Sequence, residues 1–410
     1  MMGSGITARR DLREARPLWA DTSHISVLSH KTPKSRRYDV VVVGAGISGA
    51  LVAHALADGK RSIAIIDRRG PVKGSSMAST AMIQHEIDVP LHKLSGSIGK
   101  ARAARVWRRS ADAVEQLQTL VDQLGIACQM EAKQTLFLAG DEYGARALAK
   151  EASARKEAGL TADYIDAGQL KRDYGIDRTA AIRSDASASA NPAQLTAGVL
   201  RHARKRGCEI ISGVEITDLH VSSGDVVLAT STGHLLFAGH VVFCTGYEFL
   251  KPLANKDHSI VSTWAIASPP GLKLPQWLSG HLVWEASDPY LYLRTTPNGR
   301  LIAGGEDEDS PDAYLSEAKL AKKGRVIAEK IGDLLGCSIG KPDYAWAAGF
   351  GTTPTGLPMI GEVPGLKNVH AVMGYGGNGI TFSMIASQII AASVTGKPDP
   401  DAELFAFKAS

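Results

Sequence analysis

Tyr38-Asp39-Val40-Val41-Val42-Val43-Gly44-Ala45-Gly46-Ile47-Ser48-Gly49 is the stretch on which the fold turns. Four consecutive valines behind Tyr38 read as a strand buried on both faces, the kind found inside a parallel sheet. Small and apolar residues over 47–58 then predict a helix, and Ser62-Ile63-Ala64-Ile65-Ile66-Asp67 predicts a second buried strand. The three elements make a βαβ unit. Gly44, Gly46 and Gly49 sit at G-x-G-x-x-G spacing where strand passes into helix. The first allows the tight turn, the second lets the backbone approach a pyrophosphate, and the third lets helix and strand pack closely. The helix start offers free N–H groups and partial positive charge to the phosphates. Asp67 closes the second strand about 20 residues on, where an acid accepts hydrogen bonds from adenosine ribose hydroxyls. The unit predicts a dinucleotide site and does not by itself distinguish NAD from FAD.

Working outward, Gly374-Tyr375-Gly376-Gly377-Asn378-Gly379 repeats the spacing near the other end of the chain. It follows a strand and opens a helix, but only Gly396, Lys397, Pro398 and Pro400 lie beyond, with no second acid-tipped strand. A second helix N-terminus directed at another part of the same cofactor explains it better than a second dinucleotide. In a flavin, the N1/C2=O edge becomes negative on reduction, and a helix N-terminus there stabilises it. Between the two loops, helical patterns run over 98–124, 143–158, 192–206 and 315–335. Strands are expected over 135–139, 209–212, 214–219 and 240–246, with hairpins turning at Ser223-Gly224 and Pro297-Asn298-Gly299. Parallel-type strands early, midway and late are better explained by two interleaved domains than by domains in series.

Composition limits the alternatives. The chain has 410 residues, 44% apolar and 21% charged, which argues for a globular protein rather than a disordered one. A net charge of +4 is too small to imply nucleic acid. The main basic cluster, Arg9, Arg10, Lys31, Lys34, Arg36 and Arg37, reads as a solvated lead-in over 1–37 with no continuous apolar stretch of a secretory signal. No run is long and apolar enough for a membrane span. Cys128, Cys208, Cys244 and Cys337 are widely spaced, without metal-type pattern, so reduced core thiols in the cytoplasm are expected and no metal site.

Three further motifs accompany the first: Cys244-Thr245-Gly246 closing a buried strand, Trp346-Ala347-Ala348-Gly349-Phe350-Gly351, and Gly356-Leu357-Pro358-Met359-Ile360-Gly361 ahead of the 374–379 loop. Together they resemble the D-amino-acid oxidase family of flavoproteins, which includes glycine, sarcosine and γ-glutamylputrescine oxidases, in order from about Tyr38 to Lys397. The resemblance implies an α/β (α+β overall) fold. A Rossmann-like doubly wound FAD-binding domain (38–92, 180–252 and 341–400) would interleave with a mixed antiparallel-sheet substrate domain (93–179 and 253–340). It implies that Gly44, Gly46, Ile47, Ser48 and Gly49 hold the pyrophosphate, and Asp67 and Arg68 the adenosine end. Ser75, Ser76, Ser79, Thr80 and Met82 would run beside the flavin, and Val214 would pair with adenine. Thr245, Gly246 and Gly349 would lie along the cofactor, with Gly377, Asn378, Gly379, Ile380 and Thr381 at the pyrimidine edge.

Two departures from the family bear on chemistry. Where some relatives attach FAD through cysteine this chain has Ala348, so non-covalent FAD is expected. Where carboxylate-binding relatives place an arginine it has Phe350, so an amine gains weight, or a carboxylate held by Arg294 or Arg300. Gln84, Trp284, Tyr290, Phe350 and Tyr375 are candidate substrate residues, with Trp264 and Tyr292 as further aromatics. His85 and Glu86 are the candidates for proton transfer. The expected function is oxidation of the C–N bond of an amine or amino acid by hydride transfer to flavin N5. The imine is then hydrolysed, and oxygen or another acceptor takes the electrons. The alternatives are a flavin-binding redox sensor or electron-transfer subunit without turnover, and an NAD-dependent dehydrogenase.

Overall fold

The computed structural model describes residues 5–222, 224–253 and 258–407. Its first sheet is ordered Met359–Glu362, Val369–Met373, Leu235–Phe243, Arg37–Val43, Ile63–Asp67 and Glu209–Ser212. All neighbours are parallel except Met359–Glu362. The valine run sits at the middle of this sheet, and its alternation divides between two cores. Val40 and Val42 pack with the helices Ile47–Leu56, Pro192–Lys205 and Gly379–Val394, whereas Val41 and Val43 face Val226, Leu228 and Leu236. One face is thus helical, and the other is covered by the antiparallel strands Ile216–Val221 and Val226–Thr230 leading into Leu235–Phe243. The first two pair antiparallel, and the turn expected between them at Ser223-Gly224 includes Ser223, which lies outside the described residues. Asn191 caps Pro192–Lys205 as its sequence suggests, accepting from the Ala193 and Gln194 amides.

The second sheet has ten strands, ordered Arg13–Glu14, Tyr344–Thr352, Ser259–Ala267, Leu301–Glu308, Leu291–Thr295, His281–Glu285, Glu131–Leu138, Ala180–Ser189 and Met82–Ile83, with Asp163–Asp166 beside Ala180–Ser189. It is antiparallel but for His281–Glu285 against Glu131–Leu138, which fits the mixed sheet expected over the flavin. The helix Glu317–Leu335 packs Leu320, Ile327 and Ile331 against Trp264, Ile266 and Leu293 of this sheet.

Three features differ from the sequence reading. Strands Ala180–Ser189 and Tyr344–Thr352, expected within the dinucleotide domain, pair into the second sheet. The helix expected over 98–124 runs over Lys100–Leu124, and a second helix that the sequence reading lacked, Leu91–Ile98, precedes it, the two separated by Gly99 at φ +88. The N-terminal arm is no solvated lead-in. Arg13 and Glu14 pair with Ala348 and Ala347, Leu12 and Trp19 are buried, and the Trp19 indole donates to the Ser79 carbonyl at 2.7 Å. Among the described residues no helix is long and apolar enough to cross a membrane.

The tightest packing in the first sheet is around its glycine loop. Gly44 takes φ +115, and a Cβ there would collide with the Cys244 carbonyl; one on Gly49 would collide with the Gly44 carbonyl. The clash at Gly49 is with backbone, which cannot rotate away. Gly49→Ala is therefore expected to destabilise the protein by about 3 kcal/mol, read as a lowered urea midpoint. A midpoint equal to that of the unaltered protein would show that the helix and strand separate at little cost.

Candidate active site

A cavity of about 510 Å³ runs between the two sheets. At one end it is lined by Val214, Glu215, Ile216, Arg68 and Arg69; along its length come Gly44, Gly46, Ile47, Ser48, Asp67, Ser75, Ser76, Ser79, Thr80, Met82, Thr245, Gly246 and Gly349. Gly377, Asn378, Gly379 and Ile380 follow, and the far end is walled by Gln84, Trp284, Tyr290, Phe350 and Tyr375. Of the residues singled out in the sequence, Gly49, Thr381, His85, Glu86 and Trp264 stand behind the lining, Trp264 being fully buried in the core of the second sheet. Gly49 serves the packing of Gly44, and the Thr381 hydroxyl donates to the Gln84 carbonyl at 2.9 Å.

The first glycine loop is shaped by side chains around it. The Asp67 carboxylate accepts from the Ala45 amide at 2.8 Å and from the Arg69 and Gly70 amides, so it holds the loop and the strand end together. The Ile47 amide donates to Ser76 Oγ at 2.9 Å, while Ser48 Oγ bonds Ser383 Oγ at 2.7 Å. Arg68 pairs with Glu248, which Arg69 and the Arg10 amide also bind. The arm crosses this end of the cavity. Thr7 and Leu12 line it, Arg9 pairs with Glu215, and Arg13 donates to the Lys73 carbonyl at 2.7 Å.

The second glycine loop is fixed by Asp88. Its carboxylate accepts from the Gly377 amide at 2.9 Å, and a Cβ on Gly376, which takes φ +56, would strike it. Burial raises the Asp88 pKa, with the Gly377 amide opposing. Asn378 does not cap the helix Gly379–Val394; its amide donates instead to the Glu86 carbonyl at 2.8 Å. The first N–H groups of that helix thus lack a side-chain cap where Gly379 and Ile380 reach the cavity.

His85 and Glu86 are held away from the cavity. His85 is fully buried edge-on to Trp107, and burial lowers its pKa to about 4, so the ring is neutral. Glu86 forms a buried ion pair with Arg155 and accepts from the Trp284 indole at 2.6 Å. Arg155 also binds Glu151 at 2.7 Å and lies 4.7 Å from the Trp107 ring centre. Trp284, so anchored, stacks on Phe137 at 3.9 Å and presents to the cavity. Glu86 therefore positions an aromatic wall.

Neither arginine considered for a carboxylate reaches the cavity. Arg294 is buried beneath the sheet, donating to the Thr80 and Ala190 carbonyls at 2.7 and 2.8 Å. Arg300 binds the Ser268 carbonyl and Asp343 near the sheet's outer turn. Tyr292, one of the further aromatics, lines the far end, and so do residues that drew no attention in the sequence: Asp88, Thr263 and Asp307, the last within Glu306-Asp307-Glu308-Asp309. Burial raises the Asp307 pKa to about 7, with Thr263, Tyr290 and Lys323 opposing and Asp88 adding to the rise. An acidic run closing an otherwise apolar strand was the signal available for it.

The residues present fit a flavin dinucleotide. The glycine loop leaves room for backbone approach, Ser75 Oγ is buried at the cavity without a partner, and two helix N-termini meet it. Residues 39–393 match the family described as FAD dependent oxidoreductase, DAO. Glycine oxidase of Bacillus licheniformis is 24% identical, over 91% of this chain and 97% of that protein. Gamma-glutamylputrescine oxidoreductase of Escherichia coli (strain K12) is 22% identical, over 90% and 85%. Among solved structures, glycine oxidase from Geobacillus kaustophilus superposes with a TM-score of 0.74 at 20% identity, over 89% of this chain and 96% of that one. The chain belongs to the DAO family of FAD-dependent oxidoreductases, which displaces the nicotinamide alternative.

Two outcomes follow from this geometry. Removing residues 1–16 takes away Thr7, Leu12 and the Arg10 and Arg13 contacts, and is expected to weaken FAD retention about tenfold or more, measured by release of flavin fluorescence. Retention unchanged in the truncated chain would assign the arm a purely structural role. His85 stays neutral in the fold but takes up a proton near pH 6.5 when unfolded. Its contribution is thus complete above pH 6.5 and lost as pH falls toward 4, by ~3 kcal/mol. Urea unfolding of the unaltered protein and His85→Phe across that range should show the variant losing less.

Proposed function

We propose that this member of the DAO family oxidises the C–N bond of an amine or amino acid, with FAD bound non-covalently. The observation that carries the reading is the single cavity joining both glycine loops to the wall of Trp284, Tyr290, Tyr292 and Phe350. Bound FAD supplies the hydride acceptor, which the side chains lining this cavity cannot be.

This chain's residues hold and orient. The loop of Gly44 and Gly46 with Ser75 and Ser76 would hold the pyrophosphate, and Gly379 and Ile380 would bring backbone N–H groups to where negative charge accumulates. Ala348 sits on the cavity where a cysteine would allow a covalent link. Cys337 follows the helix Glu317–Leu335 and packs against the far core. The substrate then lies between the aromatic wall and the cofactor, screened from water. One proton leaves its ammonium, and the neighbouring C–H bond breaks with its electron pair leaving as hydride. The nitrogen lone pair closes the C=N bond, and water replaces nitrogen to leave a carbonyl compound. Oxygen or another acceptor takes the two electrons afterwards.

The test is anaerobic bleaching of the yellow protein by a panel of amines and amino acids, followed by air and measurement of hydrogen peroxide. At least one compound should bleach the flavin at a rate that saturates with concentration. Bleaching by dithionite but by no amine or amino acid would instead support a flavin sensor or electron-transfer subunit. Peroxide equal to the flavin reduced identifies oxygen as acceptor, and its absence identifies another.

A further inference from the structure

The far end of the cavity is acidic and has no cation of its own. Asp88, Glu142, Asp288, Asp307 and Asp309 line it, and among the described residues no lysine or arginine does. The cavity's two arginines, Arg68 and Arg69, lie at the opposite end and are taken by Glu248. Two other acids of the wall are paired from behind, Glu285 with Arg178 and Glu308 with Lys319 and Lys323. Asp307 is different. Thr263 and Tyr290 give its carboxylate only neutral hydrogen-bond partners, and among the described residues no lysine or arginine forms an ion pair with it. A cationic group that reaches this wall therefore adds the charge-assisted bond that the carboxylate lacks.

The surroundings select what arrives. Tyr290 and Tyr292 lie 5.8 Å apart between ring centres, and Trp284 stacked on Phe137 adds a further aromatic face. Such faces favour a cation and its alkyl chain. A carboxylate here would meet acids, the apolar ring of Phe350 and no guanidinium, because Arg294 and Arg300 bond elsewhere.

We propose, resting on the reading of C–N oxidation above, that the substrate is an alkylamine or diamine without an α-carboxylate, its ammonium held by Asp307 beside Tyr290 and Tyr292. Asp88 adds negative potential at the same place, and the alkyl chain lies along Trp284 and Phe350. The acid side chains exclude α-amino acids by repulsion at the position where their carboxylate would fall.

Butylamine with norvaline, and 1,4-diaminobutane with ornithine, form pairs that differ by one carboxylate. Mixed anaerobically with the FAD-loaded protein, the amines should bleach the flavin with dissociation constants at least about tenfold lower than their partners. Amino acids that bleach as well or better overturn the proposal and leave C–N oxidation standing. Bleaching by dithionite but by none of the four overturns both. Asp307→Asn should raise the amine dissociation constant about 30-fold or more, with FAD content and melting temperature kept. An unchanged constant in that loaded variant removes Asp307 from the site. A measurement on the unaltered protein stands beside it: butyltrimethylammonium, which cannot be oxidised at its nitrogen in this way, should perturb the flavin spectrum and compete with butylamine. Competition by butyrate instead would reverse the assigned polarity.

Discussion

Glu86 joins the two halves of the molecule. Its carbonyl accepts the Asn378 amide from the second glycine loop, and its carboxylate takes Arg155 and the Trp284 indole on the substrate side. Glu86 and Arg155 are withdrawn from water, so leaving either charge unpaired would cost several kcal/mol. The segment 84–88 is fixed at further points, since Gln84 accepts Thr381 and Asp88 accepts the Gly377 amide. The second glycine loop, the aromatic wall and the acidic end of the cavity thus hold their spacing through one short stretch of chain. The hydride transfer proposed above would need a donor carbon and an acceptor held within contact distance, and a shared rigid segment provides that more reliably than two loops positioned independently.

The same economy explains why the acids near the cavity divide in function. Glu86, Glu248 and Asp67 are spent on arginines and backbone amides and serve to shape the walls. Asp307 lines the far end without an ion pair among the described residues, and Asp88 reinforces its negative potential there. Residues that look catalytic by type alone are therefore poor guides, because burial and pairing decide which acid remains available.

The two glycine loops were legible because their φ angles and close approaches admit almost no other residue; Gly44 at φ +115 against Cys244 is the clearest case. The βαβ unit was legible because four valines leave little choice but a strand buried on both sides. The strand Ala180–Ser189 was not. Its sequence, Ala-Ala-Ile-Arg-Ser-Asp-Ala-Ser-Ala-Ser, has little β-propensity and is held by pairing with Glu131–Leu138 and Asp163–Asp166. Nor was the arm, whose polar composition concealed that Leu12 and Trp19 find burial against distant parts of the chain.

By itself the sequence determined the family, the dinucleotide unit and the glycine and serine stretches of the cavity lining, since these rest on local backbone requirements and on spacing that survives without knowledge of contacts. Tertiary structure alone decided which charges face the substrate. Arg294 and Glu86 are separated by 208 positions and both are turned away, whereas Asp307, inside an unremarked acidic run, reaches the cavity. A charge's direction depends on the partners that fold around it, and those partners come from strands and helices far apart in the chain.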